Sequence, residues 1–212
     1  MNDVLDFGCG RGRYLELIAN ELPGAMVRGC ELSPVAVQSC RRDYPEFEVL
    51  PMNQSAAPFA SEAFDLIACL EVIEHTPDAG ATARELRRLL RPGGSAIVTT
   101  PCSNRGSGPW LYNALTRGFE DTPDGIGRFA TDDPAHLRRL TTRKLSALLQ
   151  DAGLQIRAMR WWSHGFTAVA DTVLAGLSLP LRVRAGIARL DWRLFRRLPN
   201  GGAVVVVAER AR

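Results

Sequence analysis

Short apolar runs alternate along this chain with amphipathic stretches. VLDFGC, AMVRGCE, FEVLP, FDLIAC and SAIVTT are strand-like, and helical patterns separate them, beginning with RYLELIANEL. Strand-length apolar runs divided by stretches of helical period predict alternating β and α units. Runs apolar on both faces imply a parallel sheet covered by helices on each side. The pattern resumes with the helix TTRKLSALLQDAG and the strand LQIRAMRW, and closes with AVVVVAE after the Asn200-Gly201-Gly202 turn. The expected fold class is α/β with a seven-stranded sheet.

Two segments break this rhythm. Residues 103–135 are rich in Gly, Pro, Asp and Asn, and residues 163–199 read as two helices broken at Pro180. Both are expected to be cap-like insertions over the strand ends, where open sheets hold their ligands. The chain begins almost inside its first strand, so the expectation is either a start further upstream or a more open pocket. At 212 residues it suits a single domain spanning 1–212, long enough to close a substantial core.

Five cysteines without a C-x-x-C pair, several inside apolar runs, point to small buried hydrophobes in a reducing cytoplasm. A secretory leader is not expected from the opening residues. Asp171, Thr172, Gly176 and Pro180 interrupt the longest apolar stretch, so a spanning helix is not expected. The expected location is cytoplasmic, at most peripheral to a membrane. A net charge of +3 gives no strong nucleic-acid signal, and the oligomeric state is not legible.

Candidate chemistry starts at Asp6-Phe7-Gly8-Cys9-Gly10-Arg11-Gly12, which follows a strand and opens a helix. Glycines there let the backbone turn tightly and approach a ligand. Arg13 occupies the last glycine position of G-x-G-x-x-G, which counts against a dinucleotide, and no G-K-[ST] of a phosphate loop follows. Glu31 ends the second strand, where an acid can accept hydrogen bonds from ribose hydroxyls. Together with NQSAAPF, LRPGG and AVVVVAE, these residues resemble the class I S-adenosylmethionine-dependent methyltransferases of the type 11/23 group. The resemblance implies a Rossmann-like sheet with its last strand antiparallel and S-adenosylmethionine as cofactor. It also implies that Asp6 holds the methionine amino group, that the Gly8, Cys9, Gly10 and Gly12 backbone lies beside the cofactor, and that Glu31 holds the ribose. Leu32, Gln54 and Leu70 would complete the cofactor contacts. Asn53 stands where the family usually shows an aspartate facing the adenine amine, and its amide oxygen can accept the same bond.

LEVIEHTPD, directly after the fourth strand, places Glu71, Glu74 and His75 at i, i+3 and i+4. On a helical turn all three share one face. The segment looks like one found in ubiquinone-biosynthesis O-methyltransferases and in small-RNA 2′-O-methyltransferases, families with a second, downstream histidine for which DPAHLRRLTTRKL offers His136. Glu71, Glu74, His75 and His136 are therefore the candidate catalytic residues. Two carboxylates and two imidazoles suit a divalent ion, magnesium or manganese. Two other readings stay open: His75 or His136 as a metal-free general base, and a purely structural polar turn whose glutamates face the helix dipole. His164, beside two tryptophans, reads as packed.

The expected activity is O-methylation of a small phenolic or lipid-like acceptor. The alternatives are a metal-assisted RNA 2′-O-methyltransferase and a non-catalytic cofactor-binding partner subunit. Trp110, Tyr112, Phe119 and Phe129 could wall an acceptor pocket or form the small core of an ordered loop. In residues 181–198, six arginines stand against one aspartate, and Val183, Ile187, Leu190, Leu194 and Leu198 recur at helical spacing. Two readings fit this segment: core packing beneath a solvated arginine face, the simpler one, and a peripheral membrane contact.

Overall fold

A computed structural model describes residues 2–54, 56–164, 180–198 and 200–212. The predicted alternation appears as β1 (Asp3–Phe7), α1 (Leu15–Glu21), β2 (Met26–Glu31), α2 (Pro34–Asp43), β3 (Glu48–Pro51), β4 (Phe64–Leu70), α3 (Ala79–Leu89) and β5 (Leu90–Pro101). There follow α4 (Gly108–Thr116), β6 (Phe119–Glu120), β7 (Arg128–Phe129), α5 (Thr142–Asp151), β8 (Leu154–Trp162), α6 (Leu181–Phe195) and β9 (Ala203–Arg210). Of the two helices expected between 163 and 199, residues 165–179 lie outside the described residues.

Seven strands form one sheet in the order β3-β2-β1-β4-β5-β9-β8, mostly parallel, with antiparallel pairing at the last strands. The chain runs outward from β1 through β2 to β3, then returns to β4 on the other side of β1. This reversal opens a crevice at the carboxyl ends of β1 and β4, where open α/β sheets bind ligands. Register fixes what meets there. Phe7 stands opposite Cys30, Asp6 opposite both Gly29 and Ala68, and Glu31 opposite Pro51. The residues following these strands therefore emerge at one end of the sheet.

Burial explains why the central strands hold. Val4, Leu5, Phe7, Phe64 and Ile67 have essentially no exposed surface, and each such side chain contributes about 1.5–3 kcal/mol on burial. α3 buries Ala79, Thr82, Ala83 and Leu86 along one stripe, and its first turn is capped by Asp78, which accepts from the Ala81 N–H at 2.9 Å. β5 starts earlier than the pattern implied. Its Leu90 is fully buried, and Arg91 reaches Asp3 and Asp65, both at 2.9 Å. Backbone N–H donors from Asn2 and Asp3, with Arg91, hold the Asp65 carboxyl down at about 2.

The described residues fall into two compact units. The first takes in residues up to Val98 with Ala147–Arg157 and Val206–Arg212; the second takes in Thr99–Ser146 and Ala158–Val205. The second unit contains the 103–135 insertion, which includes α4, β6 and β7. Ser107 accepts from the Trp110 N–H at 3.3 Å and Pro109 lies in the first turn, so α4 forms where Gly and Pro density read as loop. Trp110 packs tilted against Phe119, and Phe119 edge-on against Phe129, each with ring centroids 5.7 Å apart, and Phe129 is buried. Arg139 caps the Phe129 ring at 4.3 Å. His164 is packed as expected, its Nε2 3.1 Å from the Leu198 carbonyl and its backbone N–H donating to Asp191 at 2.9 Å.

No helix among the described residues is long and apolar enough to cross a membrane. All five cysteines are free and buried. Burial pushes the Cys30 thiol up to about 12, which suits packing rather than reactivity.

Candidate active site

The first unit brings the glycine loop and the β2 acid into direct contact. Gly8 and Cys9 N–H groups both donate to the Cys30 carbonyl, at 2.8 and 3.0 Å. The Gly10 N–H donates to Glu31 Oε2 at 3.0 Å, and the Ser33 N–H to Glu31 Oε1 at 2.8 Å. Each carboxylate oxygen has a second lone pair, so Glu31 is oriented by the backbone and keeps acceptor capacity. Gly8, Gly10 and Gly12 all have positive φ, of 76°, 55° and 87°. They differ in surroundings. A Cβ on Gly12 would lie 2.6 Å from Cys40 Sγ, one on Gly8 2.6 Å from Val72 Cγ2, and one on Gly10 would meet nothing within 4 Å. The loop thus presents its Gly10 backbone to open space.

Asp6, the penultimate residue of β1, is 1% exposed, and its Oδ2 has no hydrogen-bond partner. Burial, followed by the Glu31 charge, pushes its carboxyl up to about 7. The contrast with Asp65, held at about 2 by donors, shows one residue type set in opposite directions by its environment. An orphaned buried carboxylate oxygen beside open glycine backbone fits a ligand that brings a cationic donor.

A cavity of about 210 Å³ lies against this loop, lined by Gly8, Glu31, Gln54, Glu71, Val72 and His75. Gln54 and Glu71 have φ of 51° and 56°. Left-handed backbone is uncommon for non-glycine residues and costs about 1–3 kcal/mol, so two such residues on one cavity wall mark a constrained site.

The glutamates and histidine of LEVIEHTPD do not share a helical face. The segment is a turn, with the His75 N–H bonded to the Val72 carbonyl at 2.9 Å, and α3 begins only after the Asp78 cap. The chain bends at Glu71, at positive φ, as it leaves β4, and Pro77 disfavours helical backbone at Thr76. Glu71 and His75 are exposed at the cavity, whereas Glu74 is fully buried. The first turn of α3 carries no acid, so the glutamates do not face a helix dipole.

Leu32 also lines the cavity, while Asn53 lines a neighbouring one of about 320 Å³ that shares Gln54. Asn53 is held by reciprocal backbone bonds with Ala56 at 3.0 and 2.9 Å. Cys9, within the loop, is buried in the core, and Leu70 ends β4. His136 belongs to the second unit, in the loop after β7, where its N–H donates to the Asp133 carbonyl at 2.9 Å. Met52, Thr76 and Pro77 line the cavity without having been singled out by sequence. Their signal was positional, since they sit just past β3 and β4.

A parallel sheet with a chain reversal beside β1, a glycine loop and an acid closing β2 defines a Rossmann-like, class I methyltransferase fold. Residues 5–98 match the family model described as "Methyltransferase domain". The chain is 29% identical over 191 residues to a probable S-adenosylmethionine-dependent methyltransferase of Mycolicibacterium smegmatis, covering 90% of this chain and 66% of that protein. It is 32% identical over 159 residues to a ubiquinone biosynthesis O-methyltransferase of Pseudomonas syringae, covering 73% and 65%. Among solved structures, a geranyl diphosphate C-methyltransferase from Streptomyces coelicolor superposes with a TM-score of 0.65 at 17% identity, covering 100% and 74%. The chain is thus similar to S-adenosylmethionine-dependent methyltransferases, a likeness that implies S-adenosylmethionine as cosubstrate. The chain spans from 52% to 66% of the length of the curated relatives it matches.

Proposed function

We propose that the protein transfers the methyl group of S-adenosylmethionine to an oxygen of a small phenolic or lipid-like acceptor. The observation that carries the reading is the junction of three features on one sheet end. These are a glycine loop tied to Glu31, an orphaned Asp6 carboxylate oxygen, and a cavity walled by the strained Gln54 and Glu71 together with His75. The likeness to a ubiquinone biosynthesis O-methyltransferase supports oxygen as the nucleophile.

The cosubstrate supplies a sulfonium methyl group open to attack. Asp6, ionised on binding, accepts from the methionine ammonium, and Glu31 accepts from the ribose hydroxyls. Gly10 lets the loop backbone approach without a side chain in the way. His75, exposed at the cavity, removes the acceptor's hydroxyl proton as a general base. Glu71 stands on the same wall and orients either the imidazole or the acceptor. Holding acceptor and donor at fixed geometry is worth several kcal/mol of the barrier before any proton moves.

Turnover of labelled S-adenosylmethionine with a panel of phenolic and prenylated acceptors, with and without a chelator, tests this reading. Activity that survives chelation and falls on His75→Ala assigns proton removal to His75. Activity lost to the chelator and restored by magnesium or manganese would place a metal at the E-V-I-E-H segment instead. His136→Ala in the same assay shows whether the second unit supplies a group to the reaction. Cofactor binding without turnover on any acceptor would make the protein a binding subunit and refute the proposal.

A further inference from the structure

The apolar stripe of α6 is not in the core. Val183, Leu190, Leu194 and Leu198 are 46–57% exposed, whereas Asp191, the only acid of the helix, is fully buried. The buried side explains this orientation. Asp191 accepts from the His164 N–H at 2.9 Å, Trp192 packs edge-on against Trp162 at 6.5 Å, and the Arg196 carbonyl accepts from the Trp161 N–H at 3.0 Å. These contacts turn the side of the helix that carries Asp191, Trp192 and Phe195 inward. Val183, Ile187, Leu190 and Leu194, spaced i, i+4, i+7 and i+11, then share the outward face.

Among the described residues, the charged side chains of α6 exposed around that stripe are basic. Arg182, Arg189, Arg193 and Arg197 are all exposed, and the α6 sequence offers no exposed acid against them. α4, in the same unit, also contains no acid, and it exposes Leu111 and Leu115 at 46% and 82%. Leu111, Phe195 and Leu198 line one cavity of about 390 Å³, so the apolar residues of α4 and α6 adjoin.

We propose that the α4–α6 face of the second unit docks on an anionic lipid surface. Exposed leucines insert into the headgroup boundary while arginines pair with lipid phosphates, as for interfacial amphipathic helices. Charge argues against a second copy as the occupant, because a symmetric contact would bring two arginine-rich helices together without acids to separate them. The proposal does not depend on the methyl-transfer reading.

Flotation of the purified protein with phosphatidylcholine vesicles, with and without phosphatidylglycerol, tests it. Binding is expected only with the anionic lipid and should weaken as salt rises. Leu190→Glu with Leu194→Glu should abolish it, and Arg189→Glu with Arg193→Glu should weaken it at least about tenfold. Because the four positions are exposed, these variants should melt as the parent does. Equal binding to both vesicle types, or to neither, would overturn the proposal. So would a dimer that the leucine variant dissolves without vesicle binding. A marked fall in the leucine variant's melting temperature would show the face to be covered within the chain itself, and would overturn it too.

Discussion

Replacing Asp6 by asparagine isolates one buried carboxyl. Burial and the Glu31 charge push it up to about 7 in the folded protein, against an ordinary value of 3.8. Between those values the folded protein binds a proton that the unfolded chain has released, so stability falls as pH rises. The contribution is complete below 3.8 and gone above about 7. At about 1.4 kcal/mol for each pH unit, that interval amounts to about 4 kcal/mol. Asparagine stays neutral throughout. The stability of Asp6→Asn relative to wild type should therefore rise by about 4 kcal/mol between about pH 4 and pH 8, other titrations cancelling in the difference. A constant penalty of about 1–3 kcal/mol for the buried amide displaces the curve without changing its slope. Urea unfolding at a series of pH values, followed by tryptophan fluorescence, reads this directly. Parallel wild-type and variant curves would mean that the carboxyl is already ionised in the folded protein and would refute the reasoning. S-adenosylmethionine should flatten the wild-type curve, since its ammonium favours ionised Asp6.

Other substitutions separate packing from ligand contact. Glu31→Ala removes the acceptor of the Gly10 and Ser33 N–H groups; calorimetry should show S-adenosylmethionine affinity at least about tenfold weaker, or about 1.4 kcal/mol. Unchanged affinity would remove Glu31 from the site. Gly12→Ala forces a methyl group to within 2.6 Å of Cys40 Sγ at a φ of 87°, and should cost about 1–3 kcal/mol or more in a denaturant titration. An unaltered midpoint would contradict that packing. Gly10→Ala meets nothing within 4 Å, so it should weaken cofactor binding more than tenfold while lowering stability by only about 1 kcal/mol. The reverse ranking of the two alanine variants would show that the loop does not face the ligand.

Much of the first unit was legible because its determinants are contiguous in sequence. Apolar runs buried on both faces mark parallel strands, and β1 through β4 lie where those runs do. The G-x-G-x-G loop after β1 and the acid ending β2 carry their own context, and the register that aligns Asp6 with Gly29 follows from pairing adjacent parallel strands. E-V-I-E-H misled because spacing alone cannot distinguish a helical turn from a bend. Glu71's positive φ and the Asp78 cap put the helix start eight residues after Glu71, at Ala79.

The sequence by itself determined the alternating sheet, the glycine loop and the pair of acids, all set by local hydrophobic period and backbone need. Only the tertiary structure decided which groups face the cavity. It buried Glu74 while exposing Glu71 and His75, divided Asn53 from the Glu31 cavity, and made α4 from a segment that read as loop. It also turned the apolar stripe of α6 outward, because Asp191 found His164 and Trp192 found Trp162. Helical period says that two faces differ; which of them is buried depends on partners distant in sequence, and no local pattern records those.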